Sequence, residues 1–225
     1  MTAPAPAPAP DLSSLTVAVL GGTGEQGRGL ARRFALGGLR VVLGSRDAAR
    51  AQAAAEELPG GVTGADNAAA AAQGDVVVVA VPWDGHRELL ASLAGALAGK
   101  VVVDCVNPLG FDQQGAFALP VEEGSAAQQA QAVLPDSRVV GAFHHVSAVL
   151  LLDPSVDSVD TDILVLGDDR GATDLVQALV GVVPGMRGVY GGRLRNAHQV
   201  EALTANLISV NRRYKAHAGL RVTDV

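Results

Sequence analysis

Glycines at 21, 22, 24 and 27, reached directly from the apolar run Leu15-Thr16-Val17-Ala18-Val19-Leu20, constrain the fold of this chain more than any other feature. Strand, tight glycine turn and helix start follow one another as in the first βα unit of a parallel sheet. Gly22, Gly24 and Gly27 fit Gly-x-Gly-x-x-Gly, whose glycines permit the turn, let the backbone approach a pyrophosphate and keep the helix close to the sheet. The helix start offers unpaired N–H groups and a partial positive charge to that anion. With Leu30, Phe34 and Leu36 continuing the helical pattern, the segment reads as a dinucleotide-binding turn. A glycine turn that only packs a helix is the plainer alternative.

The second strand indicates which dinucleotide. Arg40-Val41-Val42-Leu43-Gly44 ends in Ser45-Arg46, where an NAD site would usually place an acidic residue against the ribose 2′-hydroxyl. A hydroxyl and a guanidinium stand there instead, with Arg50 one helical turn further on. Each charge-assisted bond to a 2′-phosphate is worth roughly 1.5–3 kcal/mol, so two would favour NADP by about a hundredfold or more. A solvated arginine at a helix start is the competing reading.

With 225 residues, 48% apolar and 18% charged, the chain suits one large α/β domain or one domain with a small appendage, and its many Ala and Gly residues suit close helix-to-sheet packing. No apolar stretch approaches the roughly 20 residues that span a bilayer, and no secretion signal opens the chain, which predicts a cytoplasmic protein without membrane contact. Cys105 stands alone and reads as a core thiol, and the five histidines have no metal-binding spacing. A net charge of −6 argues against nucleic acid as a partner. Residues 1–170 carry 10 Lys and Arg against 20 Asp and Glu, whereas residues 171–225 carry 7 against 3. That cationic end could attract an anionic small molecule, although solvated arginines are the commoner reading.

Strand-like and helix-like segments alternate, the pattern of an α/β, doubly wound, mostly parallel Rossmann-like sheet. Residues 1–13, an Ala-Pro tail, are expected to be disordered; residues 14–152 form the nucleotide-binding domain and 153–225 a smaller, α-rich part packed on it. Helices are expected over about 47–58, 67–72, 84–98, 122–134, 172–182 and 195–215. Strands are expected over 75–81, 100–104, 138–143 and 162–167, with a short element at 62–65 and a loop after Asn107-Pro108. Val200, Leu203, Leu207, Val210 and Tyr214 form one apolar stripe on the last helix, to be covered within the subunit or, as the preferred reading, in a dimer.

In such a sheet ligands bind outside the carboxyl ends of the strands. Those ends carry the glycine turn, Ser45-Arg46, Pro82-Trp83-Asp84, Asn107-Pro108 and His144-His145-Val146-Ser147. Trp83 could pack on a flat heterocycle or fill the core. Asn107 could bond a carboxamide or only make a turn. Of the two histidines one is expected to be structural, because consecutive side chains of extended backbone point to opposite sides. Tyr190 and Tyr214 lack the Lys four residues on that a short-chain reductase pairs with its tyrosine.

The sequence resembles the NADPH-dependent reductases of coenzyme F420, a 5-deazaflavin. The residues that carry the resemblance run from Val19 to Ala31 and include Gly44-Ser45-Arg46, Val81-Pro82-Trp83, the His144 loop, Val200-Glu201-Ala202-Leu203-Thr204 and Asn211-Arg212-Arg213-Tyr214-Lys215. The resemblance implies a homodimer that transfers a hydride directly and reversibly between NADPH and F420. It further implies that Thr23, Gly24, Glu25, Gln26, Ser45, Arg46, Arg50, Trp83, Arg87, Asn107 and Ala148 contact NADP. His144, as the catalytic residue, Thr204 and the segment near Gly219 would line the deazaflavin pocket. Some members carry Arg where this chain has His198 and Ser where it has Ala202, which bears on its contacts to F420. Two rival readings are an NADP-dependent imine, ketone or hydroxyacid reductase and a non-catalytic NADP-sensing protein. The first usually appends a long helical domain, for which the residues left after the His144 loop are too few.

Overall fold

The computed structural model describes residues 10–225; the expected disorder of residues 1–9 lies outside the described residues, while Leu12 packs against the core. The chain runs β1 (Thr16–Leu20), α1 (Glu25–Leu36), β2 (Arg40–Ser45), α2 (Ala48–Glu56), β3 (Thr63–Asp66), α3 (Asn67–Gln73), β4 (Val76–Val79), α4 (His86–Leu97) and β5 (Val101–Asp104). It continues through a hairpin, β6 (Leu109–Asp112) and β7 (Gly115–Ala118), then α5 (Ala126–Val133), β8 (Arg138–Gly141) and α6 (Ala148–Leu152). Last come β9 (Thr161–Gly167), α7 (Arg170–Gly181), β10 (Met186–Gly192) and α8 (Ala197–Tyr214). Eight strands form one sheet in the order β10-β9-β8-β5-β4-β1-β2-β3, all neighbours parallel except β8 and β9. The strand order reverses beside β1, so β1 and β4 flank the crevice where this kind of sheet binds ligands.

Alternation along the strands splits the core in two. Val17 and Val19 of β1 belong with Leu30 and Phe34 of α1, in a cluster that also takes Leu151 of α6 and Val176 and Leu179 of α7. Ala18 and Leu20 belong with Ala70 of α3, Leu90 and Leu93 of α4, Ala130 of α5 and Ala197 of α8. Helices thus cover both faces, which explains why β4 is an unbroken and fully buried Val76-Val77-Val78-Val79 run.

α1 also holds the loop that follows β8. A Cβ at Gly29 would lie 2.6 Å from Leu151 Cβ, so glycine is what admits α6 so closely. The buried Arg33 guanidinium donates to the carbonyls of Leu150 (2.5 Å), Leu151 (2.9 Å) and Val156 (2.7 Å) and so satisfies the end of α6.

Four elements differ from the sequence reading. The loop expected after Asn107-Pro108 contains the β6–β7 hairpin, closed by a turn in which Gly115 has φ 123° and Asp112 Oδ1 accepts from Gln114 N (2.7 Å). β10 has no counterpart in the sequence reading because its Gly188, Gly191 and Gly192 break the apolar pattern, yet it pairs in parallel with β9. α6 has none either, being a five-residue turn too short to show a period. The helix expected over 122–134 begins only at Ala126, where Ser125 accepts from Gln128 N (3.0 Å).

Candidate functional site

Close contacts shape the glycine turn. Gly21 carries the left-handed φ, 72°, and a Cβ there would lie 2.6 Å from the carbonyl oxygen of Ala80. At Gly22 a Cβ would meet Val19 O at 2.8 Å, and at Gly27 it would meet Gly21 O and Gly22 Cα at 2.8 Å. The turn itself therefore depends on Gly21, one residue before the motif, while Gly27 lets α1 press onto it. Gly24, the N-cap of α1, makes no side-chain cap bond, and a Cβ there would find nothing closer than Gly21 O at 3.5 Å. The first turn of α1 thus presents its N–H groups to open space.

That space is a cavity of about 610 Å³ lined by Thr23, Gly24, Glu25, Gln26, Ser45, Arg46 and Arg50, all expected from the sequence, and by Val81 and Pro82. Arg46 and Arg50 are exposed and form no ion pair among the described residues. Asp47, the acidic neighbour, is occupied: its Oδ1 caps α2 by accepting from Ala49 N (2.9 Å) and Arg50 N (3.2 Å). The wall also includes Asp84, of the expected Pro82-Trp83-Asp84 strand end, and Asn67, Gly85 and Leu89, which the sequence reading passed over. Asn67 Oδ1 is buried beside Gly44 with no partner among the described residues, and no spacing rule marks an Asn at a helix start as a wall residue.

A second group gathers at the ends of β5 and β8. Phe143 has a left-handed φ, 63°, rare for a bulky residue; its buried ring packs edge-on against Phe34 at 5.8 Å and its carbonyl accepts from Gln26 Nε2 (3.1 Å). Gln26 therefore ties the cavity to the His144 loop. The carbonyl of His144 accepts from both Asn107 Nδ2 (2.7 Å) and Thr204 Oγ1 (3.1 Å), which joins three residues expected to share a site. Because Asn107 Nδ2 is committed, its Oδ1 is a fixed acceptor, and it is buried without a donor among the described residues.

The two histidines follow directly on the bend at Phe143. Both rings are buried, with His145 beside Leu150 and Val159, and all four ring nitrogens lack partners among the described residues. The His144 ring lies back over β8, where a Cβ on Gly141 would come 3.1 Å from its Cε1. Burial pushes both imidazoles down to about 4, so both are neutral near pH 7.

Other expected residues stand nearby. Trp83 is half-buried on the α4 side of the sheet, tilted 33° to the His86 ring with centroids 5.5 Å apart. Arg87 is paired with Glu123. Ala148 opens α6 behind the His144 loop, and Ser147 Oγ lies 3.2 Å from His217 Nδ1. Gly219 sits where a Cβ would meet Thr161 Oγ1 at 2.6 Å, in a segment that Leu220 N fastens to Thr161 Oγ1 (3.0 Å) and Val222 N to Asp162 Oδ2 (2.7 Å). The local cationic excess is partly neutralised there, because Arg187 and Arg221 both pair with buried Asp162.

Beneath these loops lies a polar cluster that sequence reading missed, since its members are scattered along the chain. His86, fully buried, places Nε2 2.6 Å from Asp104 Oδ2 and Nδ1 3.1 Å from Gln129 Oε1, two acceptors. Burial opposes its charged form, but the Asp104 charge and both hydrogen bonds outweigh that and raise its pKa. Glu201 of α8 accepts from Ala126 N (2.9 Å) and Ala127 N (3.1 Å) at the start of α5, and burial pushes its carboxyl up to about 7.

Among the described residues no helix is long and apolar enough to cross a membrane, and no group of three or more His, Cys, Asp or Glu is placed to hold a metal ion.

Residues 16–108 match the family model described as NADP oxidoreductase, coenzyme F420-dependent. The F420-dependent NADP reductase of Methanothermobacter thermautotrophicus is 40% identical over 223 residues, covering 94% of this chain and 96% of that protein. A crystal structure of a candidate F420-dependent NADP-reductase from Arthrobacter sp. FB24 superposes with a TM-score of 0.79 at 28% identity, covering 93% of this chain and 100% of that one. The imine reductase of Streptomyces aurantiacus, 23% identical with a TM-score of 0.60, shares the fold alone, and the match covers 88% of this chain and 62% of that one.

Proposed function

The chain belongs to the family of coenzyme F420-dependent NADP oxidoreductases, and from that membership we propose that it transfers a hydride directly and reversibly between NADPH and F420. One observation carries the reading at the level of the site. An open anion cradle with two arginines free of ion pairs among the described residues adjoins a buried wall whose acceptor, Asn107 Oδ1, and whose imidazole, His144, have no partners there. Buried polar groups left unpaired cost about 1–3 kcal/mol each, so these are positions where a ligand would supply what the protein lacks.

Residues 14–152 hold NADP: the α1 N–H groups take the pyrophosphate, Ser45, Arg46 and Arg50 take the 2′-phosphate, and Asn107 Oδ1 accepts from the carboxamide of the nicotinamide. Trp83, Arg87 and Ala148 border the same nucleotide. Residues 153–225 complete the F420 pocket, with Thr204 and the Gly219 segment shaping it around His144. NADPH supplies the hydride when bound, and the neutral His144 ring donates an N–H toward the negative charge that develops on the acceptor. Direct exchange between two flat rings needs their juxtaposition and no general acid for a carbonyl, which fits a chain without a Tyr–Lys pair.

The α8 stripe supports a homodimer. Val200 is buried within the subunit, whereas Val210 is 37% and Tyr214 73% exposed, so the stripe leaves the subunit core along the helix. The same reading puts the protein in the cytoplasm with its two small-molecule substrates.

The test mixes the protein, NADPH and oxidised F420 and follows the visible absorbance of the deazaflavin. Bleaching in step with NADPH oxidation is expected. Folded protein that oxidises NADPH with a cyclic imine and leaves F420 untouched would overturn the reading.

A further inference from the structure

His86 has no part in the cofactor contacts described above, yet it is tied to both the Trp83 loop, read above as bordering the nucleotide, and the Asn107 loop, read as meeting its nicotinamide. It is the first residue of α4; its N–H donates to Trp83 O (3.1 Å) and its ring packs beside the Trp83 indole. Through Nε2 it grips Asp104, whose other oxygen accepts from Val106 N (3.0 Å), the residue before Asn107. Through Nδ1 it reaches Gln129, whose Nε2 donates to Glu123 Oε2 (3.2 Å), and Glu123 pairs with Arg87. One chain of hydrogen bonds thus runs from Arg87 at the rim, through a fully buried His–Asp pair, to the backbone that aims Asn107.

A buried ion pair is weak evidence of stabilisation, because apolar residues of similar volume often serve a fold as well. Here the pair joins loops that follow two different strands, and its members come from α4, β5 and α5. A geometric task explains it better than a stabilising one. Resting on the NADP reading above, we propose that His86 is a positioning residue: held by Asp104 and Gln129, it fixes the Trp83 loop and the Asn107 loop relative to each other, and so sets the nicotinamide in register with the hydride acceptor.

The chain has one tryptophan, so its emission reports on Trp83 alone. Two variants are compared with the parent. Asp104→Asn keeps an acceptor for Val106 N and removes the charge; the double variant His86→Leu with Asp104→Asn removes the ion pair without stranding either charge. Adenosine 2′,5′-bisphosphate, which lacks the nicotinamide half of NADP, serves as the control ligand. Both variants should bind it like the parent, while single-turnover hydride transfer from NADPH to F420 slows about ten- to a hundredfold, the scale of small misplacements of reacting groups. NADPH affinity should fall less than the rate, and the Trp83 emission response to NADPH should change in both. Equal losses in bisphosphate binding and transfer would show a residue that only supports the fold, and unchanged transfer and emission would remove the proposal. If the parent moves no hydride to F420, the reading of the acceptor fails instead, and the Trp83 response to NADPH then decides the positioning role by itself.

Discussion

The two ends of the crevice are built by opposite means. At the glycine-turn end, proposed above to take the phosphates, the parts are backbone N–H groups and exposed arginines, held by a left-handed Gly21, a glycine contact at Gly27 and the Asp47 cap. At the His144 end they are buried side chains and one strained backbone residue, held by bonds that span from Gln26 to Phe143 and from Thr204 to His144. The first end exposes its charges to solvent; the second buries polar atoms that have no partners among the described residues. A site that must grip a phosphate ester and also transfer a hydride needs both kinds of construction.

That contrast can be broken most severely at Gly27. Gly27→Val should push α1 off the turn, weakening NADPH binding by about a hundredfold or more, because overpacking of this kind costs about 1–3 kcal/mol even before the cradle is distorted. NADPH fluorescence titration measures it, and near-parental affinity would mean that the helix start plays no part in binding. Arg46→Ala comes next: it should raise the Michaelis constant for NADP by about ten- to a hundredfold and leave activity with NAD nearly unchanged. Equal losses with both nucleotides would place Arg46 in the fold and not at the 2′-phosphate.

The other end is sharpened by acid. His144 and His145 have folded pKa values of about 4, below the ordinary 6.5, so the fold keeps its full stability above about pH 6.5 and loses it progressively as pH falls toward 4. By pH 5 the parent should have lost on the order of 1 kcal/mol or more that the double variant His144→Ala with His145→Ala does not lose. Denaturant midpoints at pH 7 and pH 5 give the comparison, and identical pH dependence in the two proteins would show that the rings are solvated. Nucleotide affinity at pH 7 should barely move in His144→Ala, whereas F420 binding should weaken.

The phosphate end was legible because its grammar is local: glycines, a strand before them, a helix after them, and Ser45-Arg46 a strand later. The sheet was legible for the same reason, since Val76-Val77-Val78-Val79 and its like announce buried parallel strands. Local grammar fails where contacts are distant. Nothing near Phe143 predicts its left-handed backbone, where distant residues meet it: Phe34 packs on its ring and Gln26 donates to its carbonyl. His86, Asp104 and Gln129 lie in three separate segments, so their cluster has no sequence signature. β10 is hidden by its glycines, and its pairing with β9 is invisible until β9 is placed.

The long reach of the His144 wall also separates the two ends in the order of synthesis. Residues 16–104, which make the glycine turn, the Ser45–Arg46 end and β5, emerge together and can pair β1, β2, β4 and β5 among themselves. The His144 carbonyl, by contrast, waits for Thr204, and β9 waits for Leu220 and Val222 to fasten against Thr161 and Asp162. Because a domain folds as a unit, and the core under the glycine turn includes Phe143, Leu151, Ile163 and Val176, the cradle reaches its full packing only together with the wall.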